Sequence, residues 1–186
     1  MIQMNILTLL ADRPFVSEVL LHFILFMFIY IIIRIGYLIL KKGKHSTSNE
    51  VRYLIGMVYI NFVIALTLTP LHLQINWDSI ISRIQIIPFD TVTRYWPLDG
   101  EYSLYNIVGN FLMMFPMLPI LTYAFNVTSI KKATLFTAFF IVAIEIMQLF
   151  LTSTRACDID DFILNFGGFL VSIIIWQMIK SIRVAK

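Results

Sequence analysis

Charge is scarce in this chain, with 13% of its 186 residues charged against roughly 25% in soluble domains. Hydrophobic residues make up 59%. A soluble globule of this size would be left with a large apolar exterior, whereas a bilayer takes those side chains as solute. A soluble domain is thereby excluded. Cysteine is nearly absent as well. Cys157 stands alone, which rules out an internal disulfide and a cysteine-based metal cage. Basic residues are few and fall in separate loops, giving a net charge of +3; nucleic-acid binding would need a continuous basic face. The opening Met1-Ile2-Gln3-Met4 has no basic n-region, and Asp12-Arg13-Pro14 precedes the first apolar run. No cleavable signal peptide is expected. Internal repeats and low-complexity tracts are also missing.

What is present is a series of apolar runs. A helix needs roughly 20 apolar residues to cross the hydrocarbon core. Five runs come close, over residues 18–40, 53–70, 104–125, 133–151 and 161–179. The second is the shortest. The third carries Pro116 and Pro119, so a kink is expected in it. The predicted fold is therefore all-α, a polytopic membrane protein with about five transmembrane helices. Arg34, near the inner end of its helix, is expected to snorkel, and His22 is expected to hydrogen-bond locally.

Loop charge sets the expected orientation. Lys41, Lys42, Lys44, Arg52, Lys131, Lys132, Lys180, Arg183 and Lys186 fall on one side, against Arg13, Arg83, Arg94 and Arg155 on the other. The predicted N-terminus is outside and the C-terminus cytoplasmic. The chain divides into a two-helix segment (1–70), an external segment (71–103) and a three-helix core (104–186). Within the external segment, Trp77, Ile80, Ile81, Ile84 and Ile87 recur at three- and four-residue spacing. That pattern suits a short interfacial helix over residues 76–87, with Tyr95 and Trp96 as belt residues.

The polar residues inside the apolar runs are few, and helix rise places them together. Glu145 lies mid-run with Gln148 one turn later, about 12 Å below the outer end of the fourth helix. A carboxylate at that depth marks a functional site or a helix-locking hydrogen bond. Asn106 lies near the outer surface on the third helix, and Asn110 roughly 9 Å deep. Asn165 on the fifth helix reaches a similar depth, below a loop holding Arg155, Asp158, Asp160 and Asp161. One outward-facing pocket can hold them all. Asp158, Asp161, Asn165 and Gly168 share a helix face. Asp158 or Asp160 suits an N-cap, and Gly167-Gly168 suits close helix packing. Arg155 is the natural counter-ion for Glu145 or the aspartates, and equally a binder of phosphate or carboxylate. No cofactor is expected, although Asp158, Asp160 and Asp161 also suit a divalent cation; that run is short and common.

The run Glu145-x-x-Gln148 followed by Arg155-x-x-Asp158-x-x-Asp161-x-x-x-Asn165-x-x-Gly168 resembles the signature of the VanZ-like family. Asn106-Ile107-Val108-Gly109-Asn110, then Phe115-Pro116, fits the same pattern, as does Ile87-Pro88-Phe89 upstream. The likeness covers about residues 88–175, with Gly109, Pro116 and Gly168 as its helix-packing positions. Gln85 stands where the family usually has Asn, and Leu118 where it usually has Gly. The resemblance implies a multi-pass protein of the bacterial cytoplasmic membrane. Founding members are associated with low-level resistance to teicoplanin and related lipoglycopeptides, without altered peptidoglycan precursors. The leading expectation is action at the outer leaflet on a membrane lipid or lipid-linked wall precursor. Two alternatives stand beside it: an accessory or transport subunit with a membrane-protein partner, and a metal-assisted enzyme on lipid-linked phosphate or sugar. For the enzyme, no nucleophile elbow, phosphate loop or His-rich constellation is present.

Overall fold

The structure, a computed structural model, describes residues 14–41, 46–94 and 101–184, without the side chains of residues 101–105 and 183–184. Five helical spans are long and apolar enough to cross a membrane. The first is α1 (Pro14–Leu40), in which Val19 alone is buried. It packs on α2 (Thr47–Leu68) and otherwise presents Leu, Ile and Phe outward. Such an all-round apolar surface is what a lipid-facing helix needs.

The second helix starts well before the expected residue 53. Ser46 occupies its N-cap position without a side-chain hydrogen bond, and Glu50 in its first turn accepts from both Arg34 Nε and Nη2 at 2.8 Å. The charge of Arg34 is met by the next helix and by the rings of Tyr37 and Tyr53. Bidentate pairing is the stronger attraction for a planar guanidinium.

Between α2 and the third span lie α3 (Trp77–Ile81), β1 (Ile84–Gln85) and α4 (Asp90–Arg94). The expected interfacial helix over residues 76–87 is thus cut to five residues. Asn76 caps it, accepting from the Ser79 N–H at 3.1 Å. It ends because Arg83 and its successors find long-range partners. The Arg83 carbonyl accepts from Cys157 N at 3.0 Å, and Ile84-Gln85 pairs in parallel with Cys157-Asp158. Ile80 turns inward, while Trp77, Ile81, Ile84 and Ile87 stay exposed at this end of the bundle. Tyr95 and Trp96 lie outside the described residues.

The third span breaks into two helices rather than bending as one. It runs as α5 (Glu101–Met114) and α6 (Met117–Phe125), separated by Phe115-Pro116. Pro116 removes a helical donor and its ring clashes with the preceding turn. Pro119 falls in the first turn of α6, where its missing N–H costs nothing. The break redirects the span. Above it α5 packs on the last helix, whereas below it α6 packs on α2. Tyr59 Oη donates to the Met113 carbonyl at 2.6 Å, tying α2 to α5 just above the turn.

The bundle closes with α7 (Ile130–Leu151), β2 (Cys157–Asp158) and α8 (Ile159–Val184). Its core gathers Val63, Met114, Met117, Leu118, Leu121, Ala133, Ile141, Ile144 and Phe169 from α2, α5, α6, α7 and α8. Leu118, at the position that departs from the family pattern, is a core residue and does not line the pocket described below. Gly168 is the tightest helix contact, since a Cβ there would strike the Phe111 carbonyl. Gly167 has ordinary room.

Candidate functional site: a polar pocket at one end of the bundle

A cavity of about 590 Å³ opens where α5 diverges from α2. Of the nine residues expected to share a pocket, seven line it: Asn106, Asn110, Glu145, Gln148, Arg155, Asp161 and Asn165. The depth estimates from helix rise thus place these side chains around one space. Met113, Met114, Ile141 and Ile144 supply an apolar wall. Gly109 also lines the cavity, and a Cβ there would meet nothing within 4 Å. It was expected as a packing glycine; instead it leaves open space on the pocket side of α5.

Asp158 stands apart from the pocket lining. One of its oxygens accepts from the Asp160 N–H at 2.9 Å, and the other from Thr91 Oγ1 at 2.5 Å. It is the N-cap of α8, where a negative charge meets the positive end of the helix dipole. Asp160, fully buried, accepts the N–H groups of Phe89, Thr91 and Val92 at 2.5, 2.9 and 3.1 Å. It fastens the entry into α4. Gln85 serves the same segment, donating to Asp90 at 2.5 Å. The three adjacent aspartates therefore have different duties. Among the described residues no group of three His, Cys, Asp or Glu side chains is arranged to hold a metal ion.

Asp161 faces the cavity, with one oxygen accepting from Asn110 Nδ2. Glu145 accepts the Asp158 N–H at 3.1 Å through Oε2, so the tip of α8 rests on the mid-run carboxylate. Gln148 Nε2 donates to the Thr67 carbonyl at 3.0 Å and locks α7 to α2. Asn165 Nδ2 donates to the Asp161 carbonyl at 2.8 Å. Both amides are oriented by chemistry, because only the NH2 group can face a carbonyl. Their oxygens, Gln148 Oε1 and Asn165 Oδ1, are buried with no partner among the described residues.

Arg155 differs from expectation. It lines the cavity, but the ion pairs among the described residues are Arg34–Glu50 and Arg94–Asp90. Its guanidinium forms none with Glu145 or the aspartates. What holds its loop is another arginine. Arg83 donates to the carbonyls of Leu149 at 2.5 Å, Thr152 at 2.7 Å and Arg155 at 2.8 Å. It thereby caps the C-terminus of α7, where unpaired carbonyls and the dipole both favour a cation. His72 and Gln74 add N–H donors to Leu151 and Phe150 at 2.7 and 2.8 Å.

Sequence reasoning missed Arg83 in this role, since its partners lie 66 to 72 residues away. It also missed the wall supplied by Phe15, Thr67, Thr69 and Pro70 from the first two helices. Thr residues near a helix end carry no local mark of a cavity. His22 was expected to bond locally; its partner is instead Thr69 Oγ1 at 2.8 Å, 47 residues away at the end of α2. Cys157, on β2 beside the pocket, has its thiol pushed above the ordinary range, first by burial and then by the charges of Glu145, Asp158 and Asp161.

The VanZ/LLP1 family model matches residues 51–180, reaching back beyond the segment of resemblance to take in α2 and the connecting loop. No curated protein and no solved structure matches the chain. With the matched stretch running from the first turns of α2 to the last turns of α8, and so holding all of the pocket lining except Phe15, this multi-pass membrane chain belongs to the VanZ/LLP1 family.

Proposed function

We propose that this VanZ-like protein binds a lipid headgroup or lipid-linked wall precursor at the outer leaflet of the bacterial cytoplasmic membrane, and so reduces the action of teicoplanin-type glycopeptides. The observation that carries the reading is the cavity itself. It combines an arginine without an ion pair among the described residues, two carboxylates and two amide oxygens unpartnered among those residues with an apolar wall. A headgroup needs the first set and its chain needs the second. The excess of Lys and Arg at the opposite end of the bundle supports an outward-facing pocket. Arg155 would take a phosphate or carboxylate in bidentate fashion.

The test is teicoplanin susceptibility, measured beside vancomycin, in a sensitive Gram-positive host at matched membrane levels. Wild type is expected to raise teicoplanin tolerance, and Glu145→Gln or Asp161→Asn to lose most of it. Tolerance retained by both variants would make the pocket structural. No tolerance from wild type would detach the drug phenotype from this chain.

A further inference from the structure

Four side chains of the lining, Glu145 and Gln148 on α7 and Asp161 and Asn165 on α8, leave acceptors over, and that surplus specifies what this part of the pocket lacks. Glu145 and Asp161 each take one N–H from the protein, leaving acceptor capacity on both carboxylates. Gln148 and Asn165, each about 5% exposed, add two carbonyl oxygens with no donor among the described residues. Their orientation is not free to reverse, because each NH2 group is committed to a backbone carbonyl. Against two carboxylates the lining offers one cation, Arg155, in the loop above α7. A purely anionic group would meet like charge and unpaired acceptors below that arginine. A hydroxyl-rich group would bring an acceptor with every donor. An ammonium is all donor, with three N–H bonds and a compensating charge.

Resting on the headgroup-binding reading above, we infer that the pocket takes a phosphate-linked primary ammonium, with the phosphate at Arg155 and the ammonium among Glu145, Gln148, Asp161 and Asn165. The two charges of such a zwitterion match the two ends of the cavity. A quaternary ammonium carries the same charge but no N–H, so it cannot satisfy the amide oxygens. This chemistry occurs in a lipid headgroup and in free O-phosphoethanolamine, and the divergence of α5 from α2 favours the lipid, whose chain can remain beside the apolar wall.

The experiment uses the full chain purified in a neutral detergent, with binding read by native mass spectrometry. Lysophospholipids of one chain length are compared with ethanolamine, choline and glycerol headgroups, alongside O-phosphoethanolamine. The ethanolamine lipid is expected to bind about tenfold tighter than the other two, and Glu145→Gln and Asp161→Asn to erase most of that preference. The wild-type series needs no variant, so misfolding cannot imitate the result. Equal binding of ethanolamine and choline lipids overturns the inference, because buried acceptors would then not be reading N–H donors. Tightest binding of the glycerol lipid, weakened by Arg155→Met, overturns the ammonium and keeps the headgroup reading. Free O-phosphoethanolamine binding as tightly as its lysolipid keeps the ammonium and overturns the lipid source. Absence of binding by every probe overturns both readings.

Discussion

Asp160 and Asp161 are adjacent in the chain and belong to opposite kinds of structure. Asp160 sits in a latch where buried polar groups are matched: three backbone N–H groups converge on its carboxylate, Asp158 caps α8, and Arg83 closes the end of α7. Asp161 opens on the pocket, where Gln148 Oε1 and Asn165 Oδ1 have no donor among the described residues. An unpaired buried acceptor costs about 1–3 kcal/mol, so a protein tuned for stability alone would not keep two in one cavity. The latch holds a shape, whereas the pocket leaves buried acceptors open. The three acids of the motif therefore cannot be treated as one cluster, although a reading of the sequence groups them.

The comparison breaks most visibly at Asp160. Replacing it by alanine strips three N–H groups of their acceptor and is expected to cost about 3 kcal/mol or more. Thermal unfolding of the detergent-solubilised protein should show it, with loss of monodisperse material in severe cases. Gly168→Leu comes next. The obstacle there is the Phe111 backbone, which cannot swing away, so α5 and α8 must separate at a cost of about 2–3 kcal/mol. A melting temperature equal to wild type would show that the contact yields more easily than its geometry suggests.

The pocket side should respond differently. Glu145→Gln and Asp161→Asn keep an acceptor oxygen of the same reach, and each is expected to change stability by less than about 1 kcal/mol. If either variant melts as early as Asp160→Ala, the pocket is part of the latch and the contrast fails. The smallest effect concerns Cys157, the chain's single cysteine. The thiolate is the reactive form, and burial with nearby acids raises this thiol's pKa. Maleimide labelling at neutral pH should therefore run slower than at an ordinary exposed thiol and quicken as pH rises. Glu145→Gln removes one of the opposing charges, lowers the thiol pKa and should speed labelling by about two- to threefold. An unchanged rate would show that the carboxylate field does not reach β2.

Much of the bundle was legible because hydropathy acts locally. The five spans emerged from run length, yet their ends shifted. Hydropathy marks where a helix meets hydrocarbon, not where it stops, so Glu50 and Arg52 lie inside α2 rather than before it. The pocket residues on α5, α7 and α8 were found by counting helix rise from a common membrane face, which works when spans alternate direction. The short helix near Trp77 was overextended for a related reason. The periodicity of its isoleucines is real, but the pull of Arg83 and Ile84 toward residues 149–158 is stronger and leaves no trace in a local window.

Composition and periodicity alone determined that this chain is helical, multi-pass and polar at one end, because the cost of charge in hydrocarbon is independent of the details of packing. Tertiary structure decided which acid is a fastener and which faces the cavity. It freed Arg155 from its expected partners and turned Gly109 toward open space. It also split the third span so that a cavity exists. Those outcomes depend on hydrogen bonds between residues up to 81 positions apart, such as Gln148 to Thr67, and such partners are chosen only when the helices have packed.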